Sequence, residues 1–146
     1  MITAIVDTNV FVQAAISPKG ASFQVLKAQL DGKYQLISSQ ATLDELSRVL
    51  MIPHIRARHG WSDTEIRAFV GLLAANAATY PGRRPVPASI TRDPTDTKFL
   101  SLAEESSANY LVTQDRRHLL RLKQHGKTWI VTPAQFLKKL ASESGY

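Results

Sequence analysis

The sequence predicts an α/β fold with three layers, in which a mostly parallel central sheet of about four to five strands has helices on both faces. Short β-branched, apolar segments alternate along the chain with longer segments whose apolar residues recur every three or four positions. The chain of 146 residues is also long enough to bury a substantial core. We therefore expect residues 1–146 to form a single domain of this class.

The N-terminal part of the chain predicts two strands with a helix between them. Residues 2–6 are a β-branched run that predicts a strand, and the Ser-Pro-Lys-Gly stretch at 17–20 predicts a turn. Residues 21–30 predict a helix with one apolar face, and residues 34–39 predict the second strand.

The next segment predicts two helices joined by a basic connection. Residues 40–52 carry one apolar stripe and end before Pro53, which cannot continue a helix. Residues 54–61 form the basic connection. Ser62 and Glu65 have the spacing of a capping box, which predicts a helix from there to about residue 78.

The C-terminal half continues the alternation after a proline-rich loop. Pro94 suits the first turn of a helix over 92–108. Further predicted elements are strands at 109–113 and 128–132, a short helix at 115–122, and a terminal helix at 133–140 capped by Thr132.

Composition narrows the possible partners and compartments. The net charge is +6, which favours a polyanionic partner, above all nucleic acid. The chain has no cysteine, which excludes disulfides and thiolate metal sites and suits a reducing compartment. It has no apolar run of membrane-spanning length and no basic flank or apolar core of a secretion signal. We expect a cytoplasmic protein without membrane contact.

Four acidic residues fall on one edge of the predicted sheet. In a parallel α/β sheet, the carboxyl ends of the strands and the amino ends of the helices share an edge, where ligands bind. Asp7 follows the first strand and Asp115 follows the third. Asp96 lies in the first turn of the helix before the third strand, and Glu45 lies early in the helix after the second. We expect these four carboxylates to cluster.

Helical phase separates inward acids from solvated ones. Glu45 borders the apolar stripe one turn before Val49, whereas Asp44 is rotated away from that stripe by about 100°. Asp96 begins the apolar stripe of its own helix. Glu45 and Asp96 are therefore the better candidates for an inward role.

Plainer interpretations exist for each acid. Asp7 could end a strand or cap a turn, and Glu45 could be a surface acid. Asp115 could cap the helix that follows it. Asp93 and Asp96 have the spacing of a helix cap and its reciprocal acid, and for Asp93 we favour the cap. These interpretations would require four separate segments each to place an acid on the same edge by chance, which weakens them.

Clustered carboxylates raise one another's pKa and need a compensating cation. Oxygen ligands without cysteine suit Mg²⁺ or Mn²⁺. The histidines show no zinc-like spacing and lie in loop-like or helix-end sequence, so we expect none of them to be a metal ligand: His54, His59, His118 and His125.

Several segments together resemble the PIN-domain nucleases, over about residues 3–138: IVDTNVFV, LDEL, RDPTDTKFLSLA, YLVTQDRRHLL and IVTPAQFL. More narrowly, they resemble the subgroup assigned as toxins of toxin–antitoxin pairs. The resemblance implies that the acidic quartet of the family falls on the residues that topology selects, which are Asp7, Glu45, Asp96 and Asp115.

The resemblance also implies roles within the site. Three of the acids would hold Mg²⁺ or Mn²⁺: Asp7, Asp96 and Asp115. The metal would activate a water for attack on phosphorus, and Glu45 would bind a second metal or position the nucleophile. Asn9 and Thr113 would orient the carboxylates or the waters of the metal. The chain departs from many relatives at Lys98 and Gln114.

By this resemblance, the chain would be an endoribonuclease that cleaves single-stranded RNA, with a cognate antitoxin as a partner and with a homodimer as a plausible state. Basic residues near the acids would contact RNA phosphates: Arg92, Lys98, Arg116 and Arg117. Arg83 and Arg84 lie farther from the acids in this scheme. The alternative is a non-catalytic basic module that binds RNA or protein, which would need no clustered acids.

Overall fold

The computed structural model describes residues 1–91 and 93–143 and has a central sheet of six strands within them. The strands are β1 (Thr3–Val6), β2 (Gln35–Ser39), β3 (Ala77–Tyr80), β4 (Tyr110–Val112), β5 (Gln124–His125) and β6 (Thr128–Val131). Their order is β3-β2-β1-β4-β6-β5, and every pairing is parallel except that of β5 with β6. The predicted mostly parallel sheet is confirmed, with one strand more than the upper expectation.

Helices cover the sheet on both faces. They are α1 (Thr8–Ile16), α2 (Ala21–Leu30), α3 (Gln40–Leu50), α4 (Pro53–His59), α5 (Asp63–Ala75), α6 (Pro94–Ser106) and α7 (Pro133–Glu143). Ala4 and Val6 of β1 pack into a core with α1, α2, α3, α5 and α7, whereas Ile5 packs into a second core with α6. Because successive strand residues point to opposite faces, this alternation produces the three predicted layers.

The order of the strands creates a switch point beside β1. The chain first builds outward from β1 through β2 to β3, and then returns to place β4 on the other side of β1. In open α/β sheets, ligands bind outside the carboxyl ends of the strands at such a point. The edge between the ends of β1 and β4 is therefore the place where this fold offers a site.

Several predicted elements are confirmed. The helix over 21–30 is α2. Ser62 and Glu65 form the expected capping box at the start of α5. Asp93 caps α6 by accepting a hydrogen bond from the Thr95 backbone N–H at 2.9 Å. Thr132 likewise accepts a hydrogen bond from the Gln135 backbone at the start of α7.

Residues 8–16 were not predicted to be helical, yet they form α1 directly after Asp7. This segment is rich in apolar and β-branched residues, which local propensity favours in strands. Val10, Phe11 and Ala14 are buried against the first core, and that tertiary packing decides the conformation. Asp7 therefore directly precedes helix α1 and does not begin a turn.

Three further predictions are wrong. The basic connection at 54–61 is largely helix α4, because Pro53 occupies the first turn of a new helix and does not merely end the old one. The helix predicted to reach residue 78 ends at Ala75, and the following residues pair with β2 as strand β3. The segment 115–122 is a series of turns and a short 3-10 helix instead of an α-helix.

Two further expectations concern Arg92 and a membrane-spanning helix. Arg92, expected to contact RNA, lies outside the described residues. Across 1–91 and 93–143, the structure contains no helix with the length and apolarity needed to cross a bilayer.

Candidate metal centre

The site lies where β1 and β4 end side by side. Val6 pairs with Val112, and the Asp7 backbone N–H donates to the Val112 carbonyl at 2.9 Å. Thr113 then follows β4 at the same edge, two residues before Asp115. The sheet register alone therefore brings the acid after β1 next to the acid after β4.

Asp7 is a buried acid, with only 7% of its surface exposed. It occupies the residue that precedes α1, but its carboxylate makes no capping hydrogen bond to that helix. Instead, Oδ2 of Asp7 accepts a hydrogen bond from the Thr113 hydroxyl at 2.7 Å. The carboxylate is thus held beside the amino end of a helix, which favours negative charge, without being used as a cap.

Thr113 links the two acids of this edge. Its side chain is fully buried. The hydroxyl donates its proton to Asp7, and its oxygen accepts the Asp115 backbone N–H at 3.0 Å. One hydroxyl therefore fixes the position of the Asp7 carboxylate relative to the backbone of Asp115.

Asp96, Asp115 and His118 converge on one point, with one oxygen or nitrogen atom from each lying within 4.8 Å of the others. Oδ1 of Asp115 accepts the backbone N–H groups of Arg117 and His118, both at 3.1 Å, so it does cap the following turn. Oδ2 of Asp115 lies 3.4 Å from Nδ1 of His118. The capping and clustering interpretations of Asp115 are compatible, because each uses a different oxygen.

The sequence prediction did not count His118 among the site residues, because it expected none of the four histidines to be a metal ligand. The signal that could have found it is its position three residues after Asp115, because a tight turn brings residues at that spacing together. The sequence predicts a helix there, with Asp115 as its possible cap. A nitrogen donor therefore stands beside the oxygen donors.

Glu45 is the fourth acid and is 7% exposed, whereas Asp44 is exposed and binds Gln40. Oε1 of Glu45 lies 2.8 Å from Nζ of Lys98, and Oε2 accepts the Thr8 hydroxyl at 2.5 Å. The inward phase predicted for Glu45 agrees with this burial. Lys98, which was expected to bind an RNA phosphate, forms an ion pair with the Glu45 carboxylate.

The remaining predicted residues lie at the surface. Asn9 is exposed in the first turn of α1, and within the described residues its side chain makes no hydrogen bond. Arg116 and Arg117 are exposed directly after Asp115. Their positions leave them available to a ligand approaching the edge.

Electrostatics at the site oppose full ionisation. The pKa of Asp7 is raised to about 6, chiefly by burial; the Thr113 hydrogen bond lowers this pKa, and the neighbouring Glu45 and Asp115 charges raise it. Burial, followed by the Asp93 charge, also raises the pKa of Asp96. In the absence of a bound cation, ionisation of these acids costs folding free energy.

The pH dependence of stability should reveal that cost. In the unfolded chain Asp7 ionises near its ordinary pKa of 3.8, whereas in the fold it ionises near 6. The stability that protonated Asp7 contributes is therefore present below pH 3.8 and is lost as the pH rises through about 6. Without metal at about pH 7.5, we expect Asp7→Asn to be about 2 to 3 kcal/mol more stable than the wild type.

Urea unfolding in EDTA measures this difference. The advantage of Asp7→Asn should shrink steadily as the pH falls toward about 4, because the wild-type carboxyl is then protonated in the fold. Asp44→Asn, at an exposed position, should show no such gain. Equal free energies of unfolding for Asp7→Asn and the wild type near neutral pH would show that ionisation of Asp7 does not destabilise the fold.

The donor set fits a divalent cation. Asp7, Glu45 and Asp96 are buried and Asp115 is partly buried. Within the described chain, Lys98 is the one cationic group that lies closer than 3 Å to any of these carboxylates. Such an excess of oxygen ligands and negative charge suits Mg²⁺ or Mn²⁺.

Comparison with known proteins identifies the family and the fold. A family model described as PIN domain matches residues 3–117. An uncharacterized protein of Methanocaldococcus jannaschii, MJ1680, is 25% identical to the chain, over 94% of this chain and 91% of that protein. The crystal structure of PAE2754 from Pyrobaculum aerophilum has a similar fold, with a TM-score of 0.58 at 20% identity, covering 97% of this chain and 96% of that one.

Proposed function

The chain belongs to the PIN-domain family, whose members are generally nucleases, and we propose that it is a Mg²⁺- or Mn²⁺-dependent endoribonuclease that cleaves single-stranded RNA. The observation that carries the proposal is the position of Asp115, which has a carboxylate oxygen within 4.8 Å of one of Asp96 and whose backbone N–H shares the Thr113 hydroxyl with the Asp7 carboxylate. A basic binding module would have no reason to bury acids at its ligand edge, because their desolvation costs stability.

The three aspartates would hold the ion. When bound, a divalent ion supplies a Lewis acid that lowers the pKa of a water and stabilises negative charge on a phosphoryl group. Thr113 keeps the Asp7 carboxylate in register with Asp115. Glu45 sits beside Asp7 and holds Lys98 in place, so that this edge carries one fixed positive charge from the chain itself.

Two grooves that contain basic residues close in sequence to Asp96 and Asp115 would carry the RNA. One, of about 400 Å³, is lined by Arg83, Arg84, Thr97 and Lys98 beside the start of α6. The other, of about 320 Å³, is lined by Gln114 and Arg116 after the end of β4. Arg83 and Arg84 share this first groove with Lys98, the partner of Glu45. With a net charge of +6, the chain would bind phosphates on both sides of the cleaved one.

The biological role proposed with this activity is that of a toxin in a toxin–antitoxin pair. Its support is the resemblance of the five sequence segments to that subgroup. The proposal includes a cytoplasmic location, a cognate antitoxin protein and, as a plausible state, a homodimer.

The direct test is cleavage of a labelled single-stranded RNA with Mg²⁺ or Mn²⁺ and with EDTA. We expect cleavage with either metal and none with the chelator. Because the nucleophile is a water and not the ribose 2′-hydroxyl, the products should carry 5′-phosphate and 3′-hydroxyl ends. RNA binding without turnover, across several RNAs and with both metals, would support the non-catalytic module instead.

A further inference from the structure

Both carboxylate oxygens of the buried Glu45 are occupied by groups of the chain itself. Oε2 accepts the hydroxyl of Thr8, which belongs to the first turn of α1. Oε1 lies 2.8 Å from the ammonium of Lys98, which belongs to α6. Three helices therefore meet at this one carboxylate, and each of its two oxygens has a partner from another helix.

Lys98 reaches this position from the helix that also carries Asp96. Its side chain is 24% exposed, so the ammonium is partly withdrawn from water. Arg48 also approaches Glu45, but its distance is 3.8 Å and its side chain is 68% exposed. Partly buried ion pairs at short distance are the ones that fix geometry, whereas exposed ones contribute little. Lys98 is therefore the cation that neutralises Glu45.

The other part of the cluster has no such partner. Within the described residues, no lysine or arginine forms an ion pair with Asp7, Asp96 or Asp115. Asp7 lies between the two parts, because the next residue, Thr8, donates to Glu45, while the Asp7 carboxylate shares the Thr113 hydroxyl with the Asp115 backbone. The four acids thus divide into one that a lysine compensates and three that form no ion pair with a lysine or arginine among the described residues.

We propose that the Lys98 ammonium takes the place of a second divalent ion, so that the centre binds one ion, at Asp7, Asp96 and Asp115. This inference rests on the proposed function, since it concerns the cation content of the same site. In two-metal nucleases a pair of ions clamps the attacking and leaving oxygens. Here Lys98 supplies the second positive charge at the phosphate, and a chelator cannot remove it.

Displacing Lys98 would be unfavourable. An ion bound by Glu45 would have to break the contact at 2.8 Å and would leave the ammonium of Lys98, whose side chain is only 24% exposed, next to a dication. Removing one partner of a buried pair exposes the other to an uncompensated desolvation cost. The ion pair therefore closes Glu45 to metal as long as Lys98 is present.

The test counts Mn²⁺ ions per chain by isothermal titration and by the electron paramagnetic resonance of free Mn²⁺. We expect one ion for the wild type and two for Lys98→Met, which keeps the length of the side chain and removes its charge. Lys98→Arg, which keeps the charge, should bind one. Lys139→Met removes the same charge at an exposed position far along α7 and should also bind one.

Glu45→Gln keeps the test decisive even if Lys98→Met folds poorly. If Glu45 holds no ion, Glu45→Gln should bind one Mn²⁺, as the wild type does. Two ions in the wild type, falling to one in Glu45→Gln, would overturn the inference, as would a single ion in a folded Lys98→Met. Absence of any bound Mn²⁺ in the wild type would instead contradict the proposed function.

Discussion

Asp7→Asn is expected to reduce RNA cleavage by at least about 100-fold while the fold remains intact. Asparagine has nearly the same size and its carbonyl oxygen can still accept the Thr113 hydroxyl, so the position of the side chain should persist. It lacks the negative charge that would hold the cation. Replacing a residue that hydrogen-bonds to a metal ligand typically lowers metal affinity or activity by about 10- to 100-fold. Replacing a ligand itself should therefore lower activity by at least about 100-fold.

Initial rates on the labelled RNA measure this effect, at saturating Mg²⁺ and with circular dichroism as the check on folding. Asp44→Asn is the matched control, because it makes the same chemical change beside Glu45 at an exposed position. It should retain activity close to that of the wild type. If Asp7→Asn is folded and keeps more than about one tenth of the wild-type rate, Asp7 is not required for cleavage.

Thr113→Val is expected to weaken Mn²⁺ binding by about 10- to 100-fold. Valine preserves the shape of the side chain but has no hydroxyl. The Asp7 carboxylate then loses the donor at 2.7 Å, and the Asp115 backbone N–H loses its acceptor at 3.0 Å. The cation would then have to fix the positions of both acids itself. The free energy that this ordering requires makes the free energy of Mn²⁺ binding less favourable.

The control for this variant is Thr128→Val. Thr128 is also fully buried, and its hydroxyl donates to the Ala108 carbonyl at 2.7 Å, in β6 and away from the acids. Both variants should lose stability, by about 1 to 3 kcal/mol, because each leaves a buried group without its partner. Only Thr113→Val should lose affinity for Mn²⁺. Equal affinity in the two variants would mean that Thr113 does not order the site.

The features that follow from chain topology could be predicted from the sequence. Strand ends and helix starts share one edge in any parallel α/β sheet, so Asp7 and Asp115 could be placed there from their positions after strands. Helical phase alone distinguished the buried Glu45 from the exposed Asp44. These inferences depend on backbone geometry, which is regular.

Features that depend on tertiary packing could not be predicted in the same way. The segment of α1 is apolar and β-branched, and its helical state follows from burial against the core. Strand β3 has the sequence Ala-Ala-Thr-Tyr, whose two alanines favour continuation of the preceding helix, and it forms because it pairs with β2. Local propensity is a weak guide when packing of this kind opposes it.

Contacts between side chains of distant segments were equally out of reach. Lys98 follows Asp96 by two residues, and a basic residue there suggested a phosphate contact. Its partner, Glu45, is 53 residues away along the chain, and no spacing rule connects the two. His118 entered the cluster through a turn that was predicted as a helix.

The most direct measurement is the anomalous diffraction of a crystal soaked in Mn²⁺. Carboxylates carried by different parts of the chain should share one hard divalent ion at the carboxyl edge of β1 and β4. The predicted result is a Mn²⁺ peak within ligand distance of Asp7, Asp96 and Asp115. No peak at saturating Mn²⁺, or a peak bound only to other residues, would contradict it.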